Sequence, residues 1–249
     1  MQLTANGIVL CSRKTGDDKI LTVLTDKAGV ITAYANGANR MKTRLGASTE
    51  LLCYSKFVIF SLRGKNVVDV ADSLQLFFGI RKDYEKLSLA SYFAELAREL
   101  SPQKERAHAQ LSLLLNCLHF LENEKRDRRM LKSLLELRLL TLAGYMPALV
   151  GCRECSNFEP EKTYFSPQNG DLMCGACVSE EDKHTLMYIR AGVLRAMRHI
   201  IYSPPEKLFS FMLSPNCLDS LNSVSERFLI SHLEKTPSTL EFYKSLNLL

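Results

Sequence analysis

Four of the eight cysteines fall into two pairs, Cys152-x2-Cys155 and, eighteen residues later, Cys174-x2-Cys177. A Cys-x2-Cys pair on a tight turn presents two sulfurs to one metal. Two such pairs complete a tetrahedral set of four thiolates, which suits one Zn²⁺ ion. Four thiolates leave no open coordination position, so the expected ion is structural rather than catalytic. A thioredoxin-type redox pair is the less fitting alternative, because no βαβ pattern surrounds the motif and there are two pairs. An iron-bound or metal-free form would use the same residues. Gly175 lies within the second pair, where backbone amides often turn back towards thiolates. Between the pairs, "TYFSPQNGDLM" reads as a hairpin with Asn169-Gly170-Asp171 as its turn. His184 follows closely but is redundant as a ligand. Cys11, Cys53, Cys117 and Cys217 lie in apolar patterns without metal spacing and read as buried thiols.

A second constellation is cationic. "GANRMKTRLG", residues 37–46, carries Arg40, Lys42 and Arg44 with no acid between them. In an extended segment this alternation puts all three on one face. Arg13, Lys14 and Lys65 would join them from neighbouring loops. The chain's net charge of +5 is uneven. Residues 1–80 hold ten Lys and Arg against six Asp and Glu, an excess of four, while residues 148–178 are net acidic by two. A polyanion bound by the first part fits this distribution; a solvated loop is the competing reading. The run "EKRDRRMLK" is also basic. Arg128 and Arg129 read there as the wet face of a helix, as an extension of a polyanion path or as a contact for an acidic segment.

Other chemistries are missing. There is no G-x-x-x-x-G-K-[ST], G-x-S-x-G or H-E-x-x-H and no kinase signature. Asp17-Asp18 reads as part of a turn rather than as paired metal carboxylates. No enzyme is expected. The start "MQLTANGIVL" lacks a basic region followed by a long apolar one, and no apolar run reaches 18 residues. A cytoplasmic protein with reduced thiols is therefore expected, with no membrane association.

These residues need elements to position them. Residues 1–80 alternate short β-branched runs with turn signals: "LTANGIVL", "RKTGDD", "KILTVLT", "DKAG", "VITAYA", "LLCYSKFVIFSL", "RGK" and "NVVDVADSL". Gly29 is placed to take positive φ at a hairpin. Val68 and Val70 alternate with Asp69, as in a half-buried strand. Five short strands without a helical period predict a small closed barrel. From residue 81 the period changes. Leu89, Phe93, Leu96 and Leu100 form a helical stripe that Ser101-Pro102 ends. "HAQLSLLLNCLHFLE" predicts a second helix. A third runs from an Asp127 N-cap towards Gly144-Tyr145. "TLMYIRAGVLRAMRHIIY", "NCLDSLNSVSERFLISHLE" and "STLEFYKSLNLL" are also helical patterns. The class is α+β: a β domain over 1–80, then a helical domain over 81–249 with a zinc-binding insertion at about 150–180.

The order of these pieces resembles the RecO family of bacterial recombination mediators over essentially the full length. The matching residues are "ILTVLT" after an acid-containing turn, "TDKAGV", "ANGANRMKTR" and "LLELRLLTLAGYMPALVGCRECS". The last is the most specific, a helix ending in Gly-Tyr-x-Pro a few residues before the first cysteine pair. The resemblance implies an N-terminal oligonucleotide-binding (OB) fold that binds single- and double-stranded DNA and anneals strands. It also implies work with RecR to load RecA, and contact with the acidic C-terminal tail of single-stranded-DNA-binding protein. A nucleoid-associated location and no catalytic turnover follow from it. Some family members lack the cysteines, which implies a structural role for the zinc. Tyr34, Tyr54, Phe57 and Phe60 are the aromatics that base stacking would draw on. A zinc-stapled adaptor without direct DNA binding is the alternative function.

Overall fold

A computed structural model describes residues 2–62 and 64–246. Contacts divide the chain into two compact units, Met1–Lys125 with Pro237–Leu249, and Arg126–Thr236. Helices that follow the barrel, and the last helix of the chain, thus join the β part in one unit.

In the first unit, β1 (Gln2–Thr15), β2 (Asp18–Thr25), β3 (Gly29–Ala35), β4 (Tyr54–Leu62) and β5 (Lys65–Gln75) form a closed barrel in the order β1-β2-β3-β5-β4. This is the OB-fold topology. All pairings are antiparallel except β3 with β5, where Ala33 faces Asn66 and Tyr34 faces Val67. Closure removes the free edges a five-stranded sheet would expose. The interior holds Val9, Leu21, Val23, Ala33, Phe57, Ile59, Val68 and Ala71. These are the inward members of each alternation; truncating the fully enclosed Phe57 to Ala would cost about 3–5 kcal/mol.

The β2–β3 turn needs its glycine. Gly29 sits at φ +63, and a Cβ there would lie 2.0 Å from the Pro102 carbonyl oxygen. The "RKTGDD" segment is less of a turn than its composition predicts. β1 continues through Arg13 and Lys14, and Gly16-Asp17 alone make the reversal. "LLCYSKFVIFSL" pairs as strand from Tyr54 onward; before it, Leu52 N donates to Val9 O (2.8 Å) and Val9 N to Cys53 O (3.0 Å). Val70 points out of the barrel, against the expected alternation. Ile59 pairs with Val68 and Val58 with Val70, so Asp69 is an extra residue that flips the face after it. The "RGK" turn includes Arg63, which lies outside the described residues.

α1 (Phe78–Arg81), α2 (Tyr84–Leu100), α3 (His108–Glu122) and α7 (Ser238–Leu246) complete this unit. Asp83 caps α2 by accepting from Glu85 N (2.9 Å) and Lys86 N (3.0 Å). The stripe Leu89, Phe93, Leu96 and Leu100 is buried as its spacing predicts. α7 packs on α2, where Glu95 accepts from Thr239 N at 3.1 Å. The last three residues of "STLEFYKSLNLL" lie outside the described residues.

The second unit holds α4 (Arg128–Leu142), α5 (Ala191–Tyr202), α6 (Pro215–Leu233) and a four-stranded sheet. The sheet order is β6-β8-β7-β9, from Ala148–Cys152, Asp171–Cys174, Thr163–Ser166 and Met187–Ile189. "TLMYIRAGVLRAMRHIIY" is therefore not one helix. Its first part is β9, which pairs with the open side of β7, and the extended Arg190 separates it from α5. α4 and α6 are pinned by charge. Lys132 Nζ lies 2.7 Å from Glu136 Oε1 and 3.0 Å from Glu226 Oε2, and Ser225 Oγ donates to Glu136 Oε2 at 2.6 Å. No helix among the described residues is long and apolar enough to cross a membrane.

Candidate metal centre and nucleic-acid interface

The four spaced cysteines meet. Cys152 ends β6, Cys174 ends β8, and Cys155 and Cys177 follow each on a turn. All four sulfurs lie within 4.8 Å of one another, and Cys155 Sγ is 3.6 Å from Cys174 Sγ. A disulfide would need about 2.05 Å, whereas a tetrahedron with metal–sulfur bonds of about 2.3 Å has edges of about 3.8 Å. The spacing fits a metal ion and not a cross-link. Cys152 and Cys174 are buried, Cys155 is exposed and Cys177 half-buried. Burial opposes ionisation of Cys152. Backbone N–H groups of Cys155, Cys174 and Glu154 outweigh it and lower the thiol to about 6. Cys174 N reaches Cys152 Sγ at 3.3 Å. Cys177 is pushed up to about 12 by hydrogen bonds with Cys174 and Cys155 and by burial.

Gly175 acts differently from the expectation. Its N–H donates to Lys162 O (2.9 Å) and not to a sulfur. A Cβ there would press on Lys162 Cβ at 3.0 Å, so the glycine lets the second cysteine turn lie against the strand. The hairpin between the pairs forms, with Thr163 facing Cys174 and Ser166 facing Asp171. His184 is exposed on a short 3₁₀ turn outside the cluster.

The ladders place five of the six expected cations at the end of the barrel where β1, β2 and β3 meet. Lys14 faces Lys19, and Lys19 faces Ala35, the last residue of β3. Arg13 is one rung further in, opposite Ile20. The loop carrying Arg40, Lys42 and Arg44 leaves from Ala35. Lys65 opens β5 beside β3, with its Nζ 5.3 Å from the Tyr34 ring centre. All six are exposed. Residues 36–46 are a succession of turns, however, and Lys42 has φ +60. The condition for placing the three loop cations on one strand face is not met. Arg40 Nε also pairs with Asp17 Oδ2 at 2.9 Å.

Of the four aromatics, Phe57 is core, Tyr34 and Tyr54 are half-buried and Phe60 is exposed. Tyr34 faces Val67, Val67 faces Phe60, and all three stand on the outer side of the sheet. Arg129 is engaged elsewhere, 2.7 Å from Asp127 Oδ2 and 2.7 Å from Asp219 Oδ1. Cys53 and Cys117 are buried, whereas Cys11 and Cys217 are half-buried. Sequence spacing gave no sign of the role of Lys19, which is 2% exposed on β2. A lysine at an inward position between apolar strand residues is the pattern that marks it.

Two family models match. "Recombination protein O N terminal" covers residues 1–77 and "Recombination protein O C terminal" covers residues 81–241. The DNA repair protein RecO of Acetivibrio thermocellus is 35% identical over 98% of this chain and 97% of that protein. Those of Alkaliphilus metalliredigens and Symbiobacterium thermophilum are 28% and 27% identical, over 99% and 97% of the chain and 100% and 96% of their own lengths. The two family models together cover nearly the whole chain, in the same order as the barrel and the helical region with its cysteine cluster, and the chain belongs to the RecO family of DNA repair proteins.

Proposed function

We propose that the chain is a DNA-binding recombination mediator that holds strands by their phosphates and anneals complementary ones. The observation that carries this reading is that Arg13, Lys14, Arg40, Lys42 and Arg44 stand at one end of the barrel, with Lys65 beside Tyr34, so that three separate parts of the sequence supply exposed cations. Lysine and arginine on a small barrel track phosphates without reading bases. Tyr34 and Phe60, on the outer row with Val67 and beside Lys65, offer π-faces on which bases can stack. In the cell this activity serves, with RecR, to load RecA onto DNA coated by single-stranded-DNA-binding protein, whose acidic tail is a further partner. The location is cytoplasmic and nucleoid-associated, and no catalytic turnover is involved. The four thiolates hold one Zn²⁺ that staples the short sheet. Annealing of complementary oligonucleotides by wild type and by an Arg40/Lys42/Arg44→Ala variant tests the reading. The variant should anneal at a small fraction of the wild-type rate. Equal rates would move the DNA path elsewhere.

A further inference from the structure

Lys19 continues the inward alternation of Leu21 and Val23 at the mouth of the barrel, where an ammonium is least expected. It is nearly enclosed and cannot reach a phosphate itself. Its three protons have three acceptors: Gly46 O at 3.2 Å, Thr49 Oγ1 at 3.1 Å and Glu50 Oε1 at 2.7 Å. Thr49 Oγ1 in turn donates to Leu45 O at 2.6 Å. One buried cation therefore ties down the chain that leaves the basic loop.

The chain that enters the loop is held by the residues just before Lys19. Asp18 Oδ1 accepts from Gly37 N at 2.7 Å. Asn39 N donates to Asp17 O at 2.9 Å, and Asn39 Nδ2 donates to Gly16 O at 2.9 Å. Residues 16–19 thus grip both ends of the segment that bears Arg40, Lys42 and Arg44. That segment has no strand or helix of its own before the short 3₁₀ turn at Ala47–Thr49. Without the grip, each binding event would have to order it, at a cost in affinity.

We propose that Asp18, Lys19 and Glu50 are positioning residues for nucleic-acid binding: they preset the loop that presents Arg40, Lys42 and Arg44 to a phosphate backbone. The inference rests on the DNA-binding reading above. It makes a prediction opposite in sign to simple electrostatics. Asp18 and Glu50 are acids beside a surface meant for a polyanion, so removing either charge alone should tighten binding. If they position the loop, removing either should weaken it. Asp17 cannot separate the two views, because its loss also frees Arg40.

The test measures binding of a fluorescent single-stranded oligonucleotide by anisotropy at fixed salt. Asp18→Ala and Glu50→Gln alter an exposed and a half-exposed side chain, so both should fold; Lys19→Met is the harsher third variant. Each of the first two should bind about fivefold more weakly, the scale of one lost hydrogen bond. In the Arg40/Lys42/Arg44→Ala background neither should change affinity further. Equal or tighter binding by both variants overturns the proposal. So does an equal loss in both backgrounds, which would mean an effect on the whole barrel. If the triple variant itself binds like wild type, the DNA-path reading fails, separately from the positioning claim.

Discussion

Lys132 shows how a single buried charge is made tolerable. It is 2% exposed between α4 and α6, and Glu136 beside it is fully enclosed. Removing the ammonium as Lys132→Met leaves Glu136 without its cation at 2.7 Å. The expected loss is about 3–5 kcal/mol in denaturant unfolding, because an uncompensated buried carboxylate remains. Adding Glu136→Leu should recover much of it, since a buried pair replaced by apolar groups is often near neutral. Burial pushes the Lys132 ammonium down, but Glu136 and Glu226 outweigh it and hold it above the ordinary lysine value. Its contribution is therefore complete below about pH 10.4 and is lost as pH rises through the raised folded value. Asp127, the cap of α4, has the opposite sign. Its hydrogen bond with the Arg129 side chain holds the carboxyl below the usual range. That stability is present above about pH 3.9 and is lost as pH falls through the lowered folded value. For these two groups the melting temperature should fall at both pH extremes.

At the scale of elements, the four strands around the cysteines are 5, 4, 4 and 3 residues long. A sheet of such strands is marginal by itself, and a metal bound only by the folded form adds its binding free energy to folding. Treatment with a strong chelator should lower the melting temperature, and re-addition of Zn²⁺ should restore it. Cys174→Ser, which places a hydroxyl on the buried side of the site, should mimic the chelated state; elemental analysis should find one zinc per wild-type chain and none in the variant. An unchanged melting curve would remove the metal from the folding of this segment. The cysteine cluster was legible in advance because two short-range spacings encode it. α2, α3 and α4 were legible for a similar reason, since an apolar stripe and an N-cap acid are local signals. β9 was not. Its residues fit a helical period and become strand only because β7, more than twenty residues earlier, offers an unpaired side. The outward turn of Val70 was hidden too, since a bulge belongs to a pair of strands rather than to one. Lys19 was missed because its partners lie 27 to 31 residues away.

At the scale of the whole molecule, a net charge of +5 would attract any polyanion weakly, wherever the charges stood. A localised path makes a narrower claim. Each phosphate neutralised on a single strand adds about −0.7 to the slope of log affinity against log salt. Six cations on the barrel therefore limit the slope from that surface to about −4. Removing Arg40, Lys42 and Arg44 should make it shallower by about 2. The charge-matched control is Arg190/Arg195/Lys207→Ala, three exposed cations of the other unit. It lowers net charge by the same amount and should leave the slope nearly unchanged if those cations neutralise no phosphate, because only neutralised phosphates release counterions. If both triple variants shift the slope equally, binding depends on overall charge and the barrel end has no special claim. If only the control shifts it, the path runs over the helical unit. Fluorescence anisotropy from low to physiological salt separates these outcomes, since each differs in slope and not merely in affinity at one condition.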